Sequence, residues 1–200
     1  MRSGLLNGIG TVVLFLVAAT AHAQTGWTGA DLPVRMYDLT GLSNDHRQVA
    51  LTTATAVLAT ARVRIDWILC APAGENGCDA PRRETELVVR VLATSSEWAR
   101  RDAVSMGDSI IDRASQSGVF ATVYADRVSW MASRAAIDPA VLLGRAIAHE
   151  LGHLMLGSSH SSAGIMRRSW TLNELRCSRP GDWQFTKEQI AVAIRRPASR

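Results

Sequence analysis

The sequence predicts an α+β domain in the form of an α/β sandwich, with a mixed, mostly parallel sheet packed on two long helices. Stretches rich in branched apolar residues alternate with a stretch of helical periodicity, in the order strand, helix, strand, loop, strand. A second long helical pattern begins at Asp138, and a short amphipathic helix follows near the C-terminus. No internal repeat or low-complexity tract interrupts this order.

Residues 1–23 have the features of an export signal and are set apart from the domain. Arg2 gives a positive start, the run from Ile9 to Ala19 is largely apolar, and Ala21-His22-Ala23 is a small-x-small cleavage site. The apolar run is too short for a membrane span, and no cysteine follows the cleavage site to carry a lipid. We therefore expect a periplasmic or secreted protein, with a single domain over 24–200 and no stable membrane anchor after cleavage.

The positive charge does not point to nucleic acid. Lysine and arginine total 22 against 18 acidic residues, which gives a formal net charge of +4. The arginines form scattered pairs, whereas a nucleic-acid-binding face carries a dense basic stripe. We expect no nucleic-acid partner.

The first half of the domain is predicted from local patterns. Val34–Asp38 has the pattern of a short strand, and Ser43 can cap a helix that runs to about Arg62. Val63–Cys70 and Glu86–Leu92 predict two further strands.

The middle of the chain is harder to interpret. The segment 94–116 shows no clear period and predicts only fragments of helix or loop. Val119–Tyr124 predicts another strand and Asp126–Ala135 a short helix. Thr186 and Gln189 have the capping-box spacing at the start of the C-terminal helix.

Three cysteines occur in this exported chain, a setting that permits disulfides. Cys70 and Cys78 flank a turn-rich segment that can bring them together, so we predict a disulfide between them. Cys177 is then unpaired or competes for one of these partners. The sequence contains no C-x-x-C spacing, so a cysteine-zinc site is not favoured.

The second long helix has clear start and stop signals. Asp138 can accept hydrogen bonds from free amides, Pro139 suits the first helical position, and Gly157 can end the helix in a left-handed conformation. One face of this helix repeats apolar residues at helical spacing: Leu143, Ile147, Leu151 and Leu154.

Two histidines on this helix have the spacing of a zinc site. His149 and His153 lie one turn apart, so both imidazoles can bind one ion, and His160 is the first candidate for the third ligand. Glu150 lies beside the metal without binding it and can take a proton from zinc-bound water. Because zinc lowers the pKa of that water to about 7, attack on a polarised carbonyl becomes feasible at neutral pH.

The stretch HELGHLMLGSSHSSAGIM resembles the zinc signature of the metzincin clan of metallopeptidases, in its matrixin-like form. The resemblance covers roughly the last third of the chain in detail and implies a zincin-like fold with a Met-turn after the zinc helix. It implies these site residues: the zinc ligands His149, His153 and His160, the catalytic Glu150, and the structural Met166 beneath the metal.

One residue departs from the family pattern. Three residues separate His153 from Gly157 where the signature has two, so Leu156 is additional. Either the helix is one residue longer before the same glycine turn, or the exit direction rotates by about 100° and carries His160 away from the metal. The intact Gly-x-x-His spacing favours the longer helix.

Two further expectations rest on resemblance. Glu174 is an alternative third ligand, because Asn173-Glu174 loosely resembles the glutamate-bearing helix of the gluzincins. Metzincins bind an extended peptide along an edge strand just before the zinc helix, and the candidate here is Gly118–Ala125.

We interpret the protein as an exported endopeptidase with Zn²⁺ as cofactor and a protein or peptide as substrate. A non-catalytic zinc-binding scaffold and a metal-dependent hydrolase of non-peptide bonds are the alternatives. Glu150 argues against the scaffold, since a purely structural site does not need this carboxylate.

Overall fold

A computed structural model of the chain describes residues 31–70, 78–94, 105–179 and 181–195. These residues form five strands and five helices around one sheet. The strands are β1 (Leu32–Asp38), β2 (Ile65–Cys70), β3 (Leu87–Leu92), β4 (Gly107–Asp112) and β5 (Ser117–Tyr124). The helices are α1 (Asn44–Ala59), α2 (Ala125–Ala135), α3 (Pro139–Leu156), α4 (Leu172–Arg176) and α5 (Lys187–Arg195).

The sheet has the strand order β2-β1-β3-β5-β4. Strand β1 pairs in parallel with β2 and β3, and β5 pairs in parallel with β3. Strand β4 pairs antiparallel with β5 and forms one edge of the sheet. The structure therefore has the predicted mixed, mostly parallel sheet, and the two longest described helices are α1 and α3.

One apolar core joins the sheet to helices α1 and α3. In the parallel strands, alternate side chains point toward these helices, as the period of two requires. The residues that line this core are apolar and buried: Val34, Met36, Val89, Val91, Ala121, Val123, Ala54, Leu58, Leu142, Ile147 and Leu151. Helix α1 contacts the sheet at β2, where Trp67 Nε1 donates to Thr55 Oγ1 (2.9 Å), and α3 packs beside α1 against β4 and β5. Contacts with α1, α2 and the sheet bury most residues of α3.

The helix caps that the sequence predicts are present. Ser43 Oγ accepts a hydrogen bond from the backbone N–H of His46 (3.3 Å) at the start of α1. Thr186 and Gln189 exchange side-chain and backbone hydrogen bonds at the start of α5. Helix α1 ends at Ala59, earlier than the predicted Arg62.

Two predictions about the middle of the chain are wrong. The segment 94–116 contains strand β4, where helix or loop was expected. Strand β5 lies between β3 and β4, so Gly118–Ala125 is not the edge strand. Both errors arise from β4. Its short alternation of polar and apolar residues gives no strong local signal, and its antiparallel pairing with β5 makes β4 the edge of the sheet.

Several predictions fall on other parts of the chain. The predicted export signal, 1–23, and the interior of the cysteine loop, 71–77, lie outside the described residues.

Cys70 and Cys78 are joined by the predicted disulfide, with a Cα–Cα distance of 5.6 Å, and Cys177 is a free, exposed thiol. Within the described ranges, no helix is long and apolar enough to cross a membrane.

A buried ion pair fixes the chain beyond the disulfide. Arg35 on β1 pairs with Glu86, whose side chain is fully buried. The Arg35 guanidinium also donates to the backbone carbonyls of Cys78 (2.9 Å) and Ala80 (2.8 Å). These contacts join β1 to the segment before β3. Because the ion pair is buried, removal of either charge leaves the other buried without its counter-ion.

We predict that Glu86→Ala lowers the free energy of unfolding by about 3–5 kcal/mol, because it leaves the buried Arg35 charge without a counter-ion. The matched control is Asp31→Ala, which breaks the largely exposed ion pair with Arg64 and should cost about 1 kcal/mol or less. Urea denaturation of both variants measures the difference. Equal losses would contradict the importance of the buried pair.

Candidate metal centre

Helix α3 carries its site residues on a buried surface. The Asp138 side chain accepts a hydrogen bond from the N–H of Ala140 (2.7 Å), and Pro139 occupies the first turn, so the helix starts where the sequence predicts. Both helical histidines, His149 and His153, are buried together with Glu150. Buried polar side chains need partners, and their partners define the site.

Each of the two helical histidines donates a hydrogen bond from one ring N–H to a backbone carbonyl. His149 Nδ1 donates to Ile165 O (2.8 Å), and His153 Nδ1 donates to Gly157 O (2.9 Å). A carbonyl can only accept, so the proton of each neutral ring lies on Nδ1 and the Nε2 lone pair is free. Both imidazoles are thereby held in the tautomer that binds a metal through Nε2.

The free nitrogens of these rings face one another. His149 Nε2 and His153 Nε2 are 3.1 Å apart, and two lone pairs at this distance repel unless a cation lies between them. Tetrahedral zinc, with Zn–N bonds of about 2.0–2.1 Å, holds its ligand nitrogens about 3.3–3.4 Å apart. The spacing of this pair therefore fits the ion.

His160 completes the group. Its ring centroid lies 4.7 Å from that of His153 and 5.6 Å from that of His149. One nitrogen from each of the three rings lies within 4.8 Å of the others. In the described part of the chain, no other three His, Cys, Asp or Glu side chains converge in this way. Three neutral imidazoles form a donor set that suits zinc.

Burial keeps these rings neutral. Burial, together with the neighbouring His153 and His160, lowers the pKa of His149 to about 4, although the hydrogen bond to Ile165 opposes the shift. Burial also lowers the pKa of His153 and of His160. At neutral pH a metal ion therefore has no proton to displace from His149.

The additional residue Leu156 lengthens the helix and does not displace His160. Helix α3 continues through Leu156, and Gly157 follows with φ +97° and ψ −173°. A side chain there would be strained at this φ, and its Cβ would also meet Gln116 Oε1 at 2.7 Å. Gly157 thus turns the chain back, and His160 reaches the other two rings.

Met166 lies directly beneath the helix. It is fully buried, and a Cβ on Gly152 would meet its sulfur at 2.4 Å, so the sulfur packs against bare helix backbone between the two histidines. The preceding Ile165 supplies the carbonyl for His149, and the Ile165 N–H donates to Gln184 O (2.9 Å). The turn therefore supports the helix and orients one imidazole.

Glu150 is held by two residues of β4 that sequence reasoning missed. Ser109 Oγ donates to Glu150 Oε2 (2.6 Å) and lies 3.0 Å from Glu150 O. A Cβ on Gly107 would lie 2.5–2.7 Å from Oε1, Cγ and Cδ of Glu150, so glycine makes the space for the side chain. A glycine before an alternating stretch is the only local signal for these residues, since their contact with Glu150 depends on sheet pairing.

Burial raises the pKa of Glu150 to about 7; the Ser109 hydrogen bond opposes this shift and nearby Asp108 adds to it. Glu150 Oε1 has no hydrogen-bond partner within the described ranges. The carboxyl group can therefore take up or release a proton near neutral pH.

A cleft of about 780 Å³ opens onto these groups. Its wall includes Trp170, whose ring packs edge-to-face with His149 at a centroid distance of 5.5 Å. Sequence reasoning also missed Trp170, because a tryptophan alone carries no positional signal. Further lining residues come from β4 and the residue before it, from α3, from the segment after Gly157 and from the segment after Met166; they include Met106, Gly107, Asp108, Ser109, Glu150, His153, His160, Arg168 and Ser169.

The structure places Glu174 away from the histidines. Its carboxylate pairs with Arg167 and accepts hydrogen bonds from Thr171 N (2.7 Å) and Thr171 Oγ1 (2.9 Å) at the start of α4. This capping arrangement satisfies both carboxylate oxygens, and the geometry favours His160 as the third ligand.

No protein-family model and no curated protein sequence matches this chain. Among solved structures, the chain is similar to archaemetzincin from Methanopyrus kandleri, with 16% sequence identity and a TM-score of 0.50. The match covers 83% of this chain and 95% of that protein. The name of that protein places it with the metzincins. The chain therefore shares a fold with a metzincin-like protein, in agreement with the predicted zincin-like architecture.

We predict that His160→Ala lowers zinc affinity more than about 100-fold, which exceeds the roughly 10- to 100-fold loss typical of an outer partner. Glu174→Ala is the matched control and should bind zinc as the wild type does, because its carboxylate lies in the α4 cap. Competition with a chromogenic chelator measures both affinities. The reverse order of losses would identify Glu174 as the ligand.

We predict that zinc affinity is nearly constant from about pH 8 down to the ordinary histidine pKa of 6.5 and falls only in more acidic solution. The reason is that burial holds the histidine pKa values below 6.5, so protons compete with the metal only in more acidic solution. Zinc titrations at a series of pH values test this. A steep loss of affinity already at pH 6.5 would contradict it.

Proposed function

We propose that this protein is an exported zinc-dependent endopeptidase of the metzincin kind, matured by cleavage after Ala23. The observation that carries the proposal is the convergence of the His149, His153 and His160 nitrogens beside the buried carboxyl group of Glu150, all in one cleft. The fold shared with archaemetzincin supports it. The substrate class is protein or peptide, and the matrixin-like form of the signature is part of the same proposal.

In peptide hydrolysis, a bound zinc ion and the Glu150 carboxylate would have different roles. When bound by the three imidazoles, zinc supplies a Lewis acid that polarises a carbonyl and acidifies a water molecule. Glu150 accepts the proton of the attacking water at Oε1 and transfers it to the leaving amine. Its pKa of about 7 suits both transfers, because a group that titrates near the working pH can accept and donate.

The backbone edge of β4 offers a place for an extended peptide. Gly107, Asp108 and Ser109 of this strand line the cleft, and β4 is the terminal strand of the sheet on that side. A peptide that added to this edge would receive main-chain hydrogen bonds with little demand on its sequence. This edge replaces Gly118–Ala125 as the proposed substrate strand.

We predict that Glu150→Ala lowers kcat by at least about 100-fold on an unfolded protein substrate and leaves bound zinc unchanged, because the carboxylate moves protons and is not a ligand. The matched control is Glu188→Ala, which removes an exposed glutamate and should be fully active. Peptide release and zinc content are measured on the same preparations.

Two outcomes would contradict this function. Zinc bound by all variants with no cleavage of a broad substrate panel by the wild type would favour the non-catalytic scaffold. Cleavage undiminished in Glu150→Ala would remove Glu150 from the mechanism.

A further inference from the structure

We propose that Ser109 is the positioning residue for Glu150, and that β4 thereby aligns the catalytic carboxylate and the bound peptide through the same two residues, Gly107 and Ser109. This inference rests on the proposed function. Its physical basis is the contact between an edge strand and a buried helix.

The Ser109 hydroxyl joins β4 to α3 at the carboxylate. Its Oγ is 2.6 Å from Glu150 Oε2 and 3.0 Å from the backbone oxygen of the same residue. The hydroxyl donates its proton to Oε2, and this bond restricts the carboxylate to one orientation. Oε1 stays free, so a proton can move at Oε1 while Oε2 is held in place.

Gly107 bounds the same carboxylate from a neighbouring position on the strand. Residues 107 and 109 are two apart, so both face α3. Because a Cβ at Gly107 would lie within 2.7 Å of the Glu150 carboxyl carbon, the carboxylate rests against the bare Cα of the glycine. Ser109 holds one oxygen, and Gly107 limits where the rest of the group can lie.

The register of β4 turns the backbone of these two residues toward the open edge. Tyr124 N donates to Met106 O (2.9 Å), which makes Met106 and Tyr124 a hydrogen-bonded pair. Antiparallel pairing alternates, so Asp108 also exchanges its backbone hydrogen bonds with β5. The N–H and C=O groups of Gly107 and Ser109, opposite Val123 and Ala121, therefore point away from β5.

A peptide added to β4 would consequently bond to the backbone of Gly107 and Ser109, the residues that hold Glu150. In the described part of the chain, no strand pairs with β4 on this side. A displacement of β4 would move the bound peptide and the Glu150 carboxylate together, because both contact the same two residues of the strand.

The experiment compares Ser109→Ala, Ser109→Thr and the wild type for kcat and KM on one peptide. Ser109→Ala should lose about 10- to 100-fold in kcat, part of the contribution of a general base, with KM and zinc content unchanged. Ser109→Thr keeps the hydroxyl on a β-branched residue suited to a strand and should recover most of kcat. The matched control is Ser133→Ala, which removes an exposed hydroxyl on α2 outside the cleft and should behave as the wild type does.

A second measurement is independent of activity. Urea midpoints of the metal-free wild type, Ser109→Ala, Glu150→Ala and the double variant form a thermodynamic cycle. Ser109→Ala should shift the midpoint about 0.5 M further in the wild type than in the Glu150→Ala background, because only the wild type loses the side-chain bond.

Equal midpoint shifts in the two backgrounds, or a loss of activity confined to KM, would overturn the role of Ser109. Unequal shifts together with the loss in kcat would support it. If the wild type cleaves no peptide, the proposed endopeptidase function fails and the positioning of a catalytic base fails with it; unequal midpoint shifts would then show that the Ser109–Glu150 contact itself exists.

Discussion

The burial of helix α3 is the constraint on which the site depends. A helix enclosed by α1, the sheet and the Met166 turn cannot leave polar side chains without partners, because an unpaired buried polar group costs about 1–3 kcal/mol. His149, Glu150 and His153 each use one polar atom to meet this requirement, bonding to Ile165 O, Ser109 and Gly157 O. Each retains one unused atom. Structural necessity thus leaves two nitrogens and one oxygen free for a metal and a proton.

The supports of the site come from three separate parts of the chain. The turn at Ile165 and Met166 lies below the helix, the Gly157 turn returns His160 to the other rings, and β4 holds the carboxylate. A site divided in this way is ordered only when the whole domain is folded. Its rigidity then comes from the packing of α3 and not from the loop that carries His160.

Sequence alone predicts what local chemistry determines. The start of α3 at Asp138, its end at Gly157 and the spacing of its histidines are properties of one helix, and all are visible in consecutive residues. The cysteine pair is likewise predictable, because a short turn-rich loop brings Cys70 and Cys78 together.

Positions set by pairing between distant segments are not predictable in this way. Strand β4 is short and polar in alternation, and its place at the edge depends on β5, which follows it in sequence but lies inside it in the sheet. The contacts of Gly107 and Ser109 with Glu150 span more than forty positions in the chain and arise only from that register. Helix α4, which contains Glu174, spans only five residues, too few for a helical period to predict its bounds from the sequence.

The acidic residues of β4 bear on whether two copies of the protein can associate through this edge. Ile110 is 69% exposed there, and an exposed apolar edge strand is a common route to self-association. If two copies paired antiparallel about Ile110, Asp108 of each would oppose Asp112 of the other, and like charges across a pair repel. A guest peptide without acids at these positions meets no such repulsion. The edge of β4 can therefore pair with a peptide of another protein, whereas charge repulsion disfavours its pairing with the β4 strand of a second copy.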